Sequence, residues 1–295
     1  MMKKTGTIFV LLAGILWGFL GIFARVLNKY GLEAMQVVMV RAAVAAAVLF
    51  LILLIRDKSL LRIRLRDLWC FLGTGICSIV FFNYCYFTAV SIMSLAAAAV
   101  LLYTAPAIVM VLSVLLFGEK ITLRKWIAIA CTFAGCLLVT GIVGSSVRLS
   151  VGGILVGLGA GIGYALYSIF GRYALNKGYS SFTITFYTFL IAAIVSSVMV
   201  GGWSPAVSAI KKGGGPVVLS MLALGVLSTV LAFLFYTIGL TKMESSYASV
   251  VASIEPVTAS ILGVVLYHEK LSAWTIAGIA LVLGAILIVN INQPK

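Results

Sequence analysis

The segment AGILWGFLGIFAR, residues 13–25, aligns with AGIGYALYSIFGR, residues 160–172, and six of the 13 positions are identical. The two segments lie 147 positions apart, about half the length of the 295-residue chain. Chance similarity between apolar helices is the alternative, but apolarity alone does not explain why both segments end in arginine. The alignment therefore predicts an internal repeat.

A second alignment, at an offset of 150 positions, extends the repeat toward the end of each half. It pairs Tyr86 with Tyr236, Met93 with Met243, Ala98 with Ala248, Pro106 with Pro256, and Glu119-Lys120 with Glu269-Lys270. We expect two related halves, residues 1–147 and residues 148–295.

The composition indicates an integral membrane protein. Hydrophobic residues make up 63% of the chain and charged residues only 9%, whereas soluble domains are about 45–50% apolar and ~25% charged. Apolar stretches of a length that can span a bilayer as a helix recur at about residues 7–24, 34–55, 67–90, 95–117, 123–143, 151–173, 181–201, 216–240, 246–267 and 273–291. These stretches predict an all-α fold of ten transmembrane helices. With five helices in each half, the second half enters the membrane from the opposite face, so the repeats have inverted topology.

The charge pattern predicts the orientation. The net charge of +14 could suggest nucleic-acid binding, but the basic residues lie mostly in the short gaps between apolar stretches, and we expect no nucleic-acid partner. One side carries 14 Lys and Arg and the other carries six, which predicts a cell-membrane protein with both termini in the cytoplasm. Lys3, Lys4 and the first apolar stretch also fit a secretory leader, yet this stretch has a counterpart in the second half, so we expect it to be retained.

The sequence resembles the drug/metabolite transporter superfamily, with two EamA-type domains. The resemblance covers essentially the whole chain and rests on the ten stretches, the repeat, AGILWG at residues 13–18, FGEKIT ending at Thr122, and IEP at residues 254–256 followed by HEKL. It implies a secondary carrier, often an exporter of amino acids or other small metabolites. It also implies a central cavity lined by the first, third, fourth, sixth, eighth and ninth helices.

Two charged residues within apolar stretches are the strongest candidates for function. Glu255 lies about ten residues into the ninth stretch, where a carboxylate costs several kcal/mol unless it is paired, hydrated or protonated. We expect it to couple occupancy of the cavity to conformation, either by holding a substrate amine or by binding a proton in one state; a structural bond between helices is the alternative. Arg41 lies about seven residues inside the second stretch, where it could pair with a substrate carboxylate, pair with Glu255 or anchor the helix. The first half has Ala105 where the second has Glu255, so we expect an electrically lopsided cavity.

Aromatic and amide side chains on the helices expected to face the cavity could surround an apolar or cationic group. Trp17 and Tyr164 occupy equivalent positions in the two repeats. The complete set of substrate-binding candidates is Trp17, Asn83, Tyr86, Tyr103, Tyr164, Tyr167, Tyr236 and Glu255. For any single aromatic residue, ordinary packing between helices is the alternative.

Other reactive residues do not form a recognisable site. The five cysteines lie in apolar segments without Cys-x-x-Cys spacing, and His268 is the single histidine. We therefore expect no metal, no cofactor and no enzyme activity. Glu119 and Glu269 are each followed by Lys, and we expect them to satisfy helix ends and to steady a gate.

The sequence thus favours a secondary active transporter that works by alternating access on a small-molecule substrate in the lipid bilayer. An exporter of amino acids or related compounds is the leading hypothesis. An uptake carrier for a cationic or amine metabolite is the alternative, and a channel or a membrane enzyme is less favoured. Proton coupling through Glu255 and the oligomeric state remain open at this stage.

Overall fold

The computed structural model describes residues 2–142, 150–268 and 270–290, and within these ranges it contains helices and no strand. Nine helices are long and apolar enough to cross a membrane, and the 17-residue helix Leu123–Val139 completes a set of ten. In chain order they are α1 (Lys4–Lys29), α2 (Ala34–Arg56), α3 (Leu65–Ile92), α4 (Leu95–Phe117), α5 (Leu123–Val139), α6 (Val151–Asn176), α7 (Ser181–Met199), α8 (Ser204–Leu240), α9 (Ser245–Tyr267) and α10 (Ala273–Asn290). The all-α membrane fold predicted from sequence is confirmed. The expected boundary between the two halves lies outside the described residues.

Short polar turns define several helix starts. Ser94 Oγ accepts a hydrogen bond from the backbone N–H of Ala97 at 3.2 Å, and Ser150 Oγ accepts one from Gly153 at 3.1 Å. Such caps satisfy backbone donors that have no partner in the first turn of a helix. The helices can therefore begin abruptly after connections of only a few residues.

The two halves interlock around a pseudo-twofold axis. Helix α1 packs against α8 and α9 of the second half, and its counterpart α6 packs against α3 and α4 of the first. Helix α2 packs against its own counterpart α7, and α5 packs against α10. Every one of these contacts crosses from one half to the other, which is the arrangement expected of inverted five-helix repeats.

Equivalent helices are interrupted at equivalent positions. Helix α4 is divided into Leu95–Leu102 and Ala105–Phe117, and α9 is divided into Ser245–Ala252 and Ile254–Tyr267. A proline stands in the first turn after each interruption, where its missing N–H costs no helical hydrogen bond. Glu255 thus lies about ten residues into the membrane span, as expected, and in the first turn of the helical piece that follows the interruption.

Wide helical turns also occur in both halves. The π-helical stretches are Gly73–Val80 in α3 and Val226–Leu231 in α8, and they overlap when the second is shifted by 150 positions. A π-helical turn holds an extra residue and changes the direction of the side chains that follow it. In α3, the buried residue Asn83 lies three residues after this stretch.

Two helix boundaries differ most from the sequence prediction. Helix α1 continues to Lys29, five residues beyond the predicted end. Helix α8 begins at Ser204 and bends at Gly214, whose φ of 56° lies in the left-handed region that glycine adopts without strain. The gap expected between the stretches 181–201 and 216–240 is therefore largely helical, with a kink at Gly214.

Glycines allow α1 and α6 to approach the two interruptions closely. A Cβ atom at Gly14 would lie 2.9 Å from the backbone oxygen of Ala252, and one at Gly161 would lie 2.9 Å from the backbone oxygen of Leu101. Both distances are too short for a real Cβ contact. The same close backbone packing thus holds both interrupted helices in place.

We predict that Gly14→Ala destabilises the protein by about 1–3 kcal/mol, because the added methyl group would overlap the branched side chain of Ile254 and would lie 2.9 Å from the backbone oxygen of Ala252. Gly284→Ala is the matched control, since a Cβ at that helical position has no neighbour within 4 Å. Thermal unfolding of the purified protein in detergent measures both effects. Equal midpoints for the two variants would contradict the role assigned to Gly14.

Candidate functional site

A cavity of about 490 Å³ lies between the two halves. Its walls come from α1, α2, α3, α4, α6, α8 and α9. The nine candidates named from sequence all line it: Trp17, Arg41, Asn83, Tyr86, Tyr103, Tyr164, Tyr167, Tyr236 and Glu255. The nine side chains therefore lie around a single cavity, and their role in binding a substrate stays a prediction.

The cavity is open at one end and closed at the other. Its rim includes the exposed residues Arg25 and Asn28 near the end of α1, and Leu95 at the start of α4. Leu95 is 62% exposed, whereas Ser245, its counterpart at the start of α9, is fully buried. The open end is therefore the one farther from the amino terminus of α1.

Glu255 presents its carboxylate to the cavity from the first turn of the second piece of α9. Its Oε2 atom accepts a hydrogen bond from the hydroxyl of Tyr164 at 3.2 Å. The positive end of the helix dipole stabilises a negative charge at this position. One hydrogen bond and a helix terminus leave the carboxylate with further capacity to accept bonds from a ligand.

Arg41 is buried and only partly satisfied. Its side chain is 3% exposed, its Nη2 atom donates to Oδ1 of Asn83 at 3.4 Å, and its Nε atom has no hydrogen-bond partner. Asn83 is itself fixed by a 2.7 Å hydrogen bond from its Nδ2 to the backbone oxygen of Ile79. Among the ion pairs of the described residues, none includes Arg41. Its guanidinium is thus free to bind an anionic group that enters the cavity.

The two charges do not neutralise one another through a direct ion pair. Of the three roles considered for Arg41 from sequence, a direct pair with Glu255 is therefore absent from this conformation. The expected lopsidedness also has a structural basis, because Glu255 lines the cavity while Ala105 is buried in a separate apolar cluster with Val109 and Ala165. The repeats supply a symmetric frame that carries an asymmetric pair of charges.

The aromatic residues form a connected wall. The ring of Trp17 lies 6.2 Å from that of Tyr164, its counterpart in the other repeat, and 5.2 Å from that of Tyr236. The Nε1 atom of Trp17 is buried and has no hydrogen-bond partner. The hydroxyl of Tyr167 is bonded to Thr237 at 2.9 Å, so the Tyr167 ring is held in place. These residues therefore give the cavity a rigid apolar wall, and the Nε1–H group of Trp17 is a donor that a ligand can use.

Ser168 is a cavity residue that the sequence did not reveal. It lies one helical turn after Tyr164, and its hydroxyl is bonded to that of Tyr236 at 2.6 Å. The spacing of four residues from Tyr164 was an available signal, since such residues share a helix face. A single serine in an apolar helix does not stand out without that geometry.

Comparisons with known proteins identify the family of the chain and support its fold. Residues 4–141 and residues 151–291 each match the model of the EamA-like transporter family. A Bacillus subtilis protein named uncharacterized transporter YwfM is 31% identical over 211 residues, which cover 71% of this chain and 69% of that protein. An Archaeoglobus fulgidus protein, also named an uncharacterized transporter, is 29% identical over 260 residues, covering 88% and 89% respectively. A solved crystal structure superimposes with a TM-score of 0.78 at 20% identity, covering 97% of this chain and 96% of that one, and it supports the fold alone.

We predict that Arg41→Met leaves the free energy of unfolding unchanged within about 1 kcal/mol or raises it, because a buried and poorly satisfied charge contributes little to stability. Asp67→Asn is the contrasting variant. Asp67 accepts hydrogen bonds from Lys177 Nζ at 2.6 Å and from Tyr179 at 2.8 Å, so its loss should lower the unfolding midpoint. A large destabilisation by Arg41→Met in thermal unfolding would favour a structural role for that residue.

Proposed function

Because the chain belongs to the EamA-like transporter family, we propose that it is a secondary carrier that exports amino acids or related small metabolites by alternating access. The observation that supports this most is a cavity between inverted repeats that opens at one end and is closed at the other. A channel needs a path through both ends at once. A carrier needs this conformation and a second one in which the other end is open. Two inverted repeats can supply both when each adopts the conformation of the other.

The charges of the cavity favour a zwitterionic substrate. Glu255 can hold an ammonium group, and Arg41 can bind a carboxylate with its unused donors. A substrate carrying both groups would satisfy both side chains and would leave no charge uncompensated in the low-dielectric interior. The aromatic wall around Trp17 would contact the apolar part of such a molecule. The cavity volume of about 490 Å³ suits a small metabolite.

The alternative is an uptake carrier for a cationic or amine metabolite. It is favoured by the position of Glu255 beside Tyr164 and the neighbouring aromatic rings, which attract cations. The two hypotheses differ in what Arg41 does. A zwitterion would need its guanidinium, whereas an amine without a carboxylate would be repelled by it.

The bias of Lys and Arg supports a plasma-membrane carrier with both termini in the cytoplasm. In that orientation, the cavity faces away from the cytoplasm. Glu255 is the group through which a proton could be coupled to transport, because a carboxylate can release its substrate when it binds a proton. The two repeats, residues 1–147 and 148–295, would be the moving units.

The function can be tested by counterflow in proteoliposomes. Amino acids, amines, sugars and nucleobases are first screened for an increase in thermal stability, because a ligand that binds the native state stabilises it. A hit is then loaded inside the vesicles, and uptake of the labelled compound is measured. A carrier accelerates uptake through saturable exchange. Uptake that shows no such stimulation would overturn the carrier proposal, and binding restricted to amines would favour the alternative substrate.

We predict that Glu255→Gln reduces counterflow at least about 100-fold if Glu255 holds the substrate amine, because it removes the charge while it keeps the shape of the side chain; if Glu255 binds the coupling proton instead, exchange continues and the pH dependence of transport is lost. Glu33→Gln is the matched control, since Glu33 is an exposed carboxylate at the start of α2. Thermal unfolding verifies that both variants are folded. Unchanged transport and unchanged pH dependence in Glu255→Gln would contradict the assignment.

A further inference from the structure

The closed end of the cavity is held by a cluster of ionic groups that we call the latch: Glu119, Lys125, Arg172, Glu244 and the backbone of residues 243–246. Glu119 caps the first piece of α9 from the other half of the molecule. Its Oε1 atom accepts the backbone N–H of Ser245 at 2.8 Å, and its Oε2 atom accepts the hydroxyl of Ser246. The helix end therefore depends on a carboxylate supplied by the connection after α4.

Lys125 joins the two carboxylates of the latch. Its Nζ atom lies 3.3 Å from Glu119 and 2.6 Å from Glu244, and it stands 4.8 Å from the centre of the Tyr247 ring. The side chain is 2% exposed. Lys125 is one of the 14 basic residues counted on the cytoplasmic side from sequence, and the structure places it inside a contact between the halves.

Arg172 links the latch to the cavity. Its Nε atom donates to the hydroxyl of Ser245 at 3.1 Å, and its Nη2 atom donates to the backbone oxygen of Met243. Arg172 lies one helical turn after Ser168, whose hydroxyl is bonded to Tyr236 in the cavity wall at 2.6 Å. The closed end thus begins one turn beyond the cavity floor.

The open end lacks two of the charges that form the latch. Shifting by the repeat offsets places Arg25 at the position of Arg172, and Glu269, which lies outside the described residues, at that of Glu119. The position of Lys125, however, is taken by Thr275, and that of Glu244 by Ser94. The lysine that joins two carboxylates at one end of the molecule has no counterpart at the other.

We propose that the latch sets the resting conformation, so that the end nearer the amino terminus is closed by default and must be unlatched in each cycle. The proposal rests on the proposed alternating-access function. When the latch opens, its charged groups are hydrated. When it closes, they lose that water, and ion pairs between them must compensate the cost of desolvation. Removing Lys125 leaves the carboxylate of Glu119 without its cation only in the closed arrangement. The loss therefore raises the free energy of that arrangement and favours its opposite.

Thiol labelling of the open end tests the proposal without a substrate. The experiment uses a variant whose native cysteines are replaced and in which Leu95→Cys reports on the open end. Leu95 is exposed in this conformation. Its counterpart Ser245 is buried at the closed end, so we expect residue 95 to become buried when the open end closes. The protein is labelled with a polar maleimide in detergent, where the reagent reaches both faces. We expect Lys125→Thr to slow this labelling about fivefold or more, because the population shifts toward the opposite state.

Two controls separate the latch from a general effect of charge or folding. Lys120→Thr removes an equal charge from an exposed neighbouring position and should leave the rate unchanged. Lys125→Arg keeps the cation and should retain most of the wild-type rate. A misfolded variant would expose the cysteine and label faster, which is opposite to the expected change. Equal slowing by Lys120→Thr, or an unchanged rate in Lys125→Thr, would overturn the proposal.

The reciprocal experiment installs the missing charges at the open end. Thr275→Lys combined with Ser94→Glu recreates the two groups that this end lacks and should also slow labelling at residue 95. An unchanged rate in this double variant would show that these charges do not set the conformational balance. Counterflow of the same proteins distinguishes the two proposals, since normal exchange with unaffected labelling would refute the latch alone. Altered labelling in Lys125→Thr, together with no exchange by the wild-type protein, would refute the carrier and leave the latch as a device that sets the resting conformation.

Discussion

The close approach of α1 to the interruption of α9, and of α6 to the interruption of α4, is the constraint on which the rest of this structure depends. An interrupted helix leaves backbone groups that lipid cannot satisfy, so such a break is tolerated only where protein or a wet cavity surrounds it. Gly14 and Gly161 allow the neighbouring backbone to come near enough to enclose both breaks. The cavity, its carboxylate and the contact between the halves all follow from that packing.

A symmetric frame with asymmetric charges accounts for the chemistry of the molecule. The repeats place equivalent helices around one axis, but the side chains at equivalent positions differ. Glu255 is aligned with Ala105, and Lys125 is aligned with Thr275. The first difference gives the cavity its polarity. The second gives one end a lysine that the other end lacks at the equivalent position. Backbone symmetry provides two related shapes, and side-chain asymmetry determines which of them is preferred.

Much of the fold could be predicted from the sequence because the bilayer imposes a length and a polarity on every helix. The repeat paired Trp17 with Tyr164, the family resemblance implied that their helices and that of Glu255 line a cavity, and the structure brings all three residues to one cavity. The burial of Lys125 could not be predicted, because it depends on contacts with the start of α9, which is more than 100 residues away in the chain. In the sequence, the only sign of the interruption at Ser253 is the nearby Pro256, and a proline is equally compatible with a simple kink between packed helices.

The π-helical turns in α3 and α8 have a consequence for the history of the chain. An extra residue within a membrane helix is costly to acquire, since it shifts the register of everything that follows, and independent gain at the same place in two segments requires a coincidence. The overlap of Gly73–Val80 and Val226–Leu231 after alignment is explained more simply if a single ancestral gene already carried the wide turn before it was copied and fused. On that account the distortion is older than the internal symmetry.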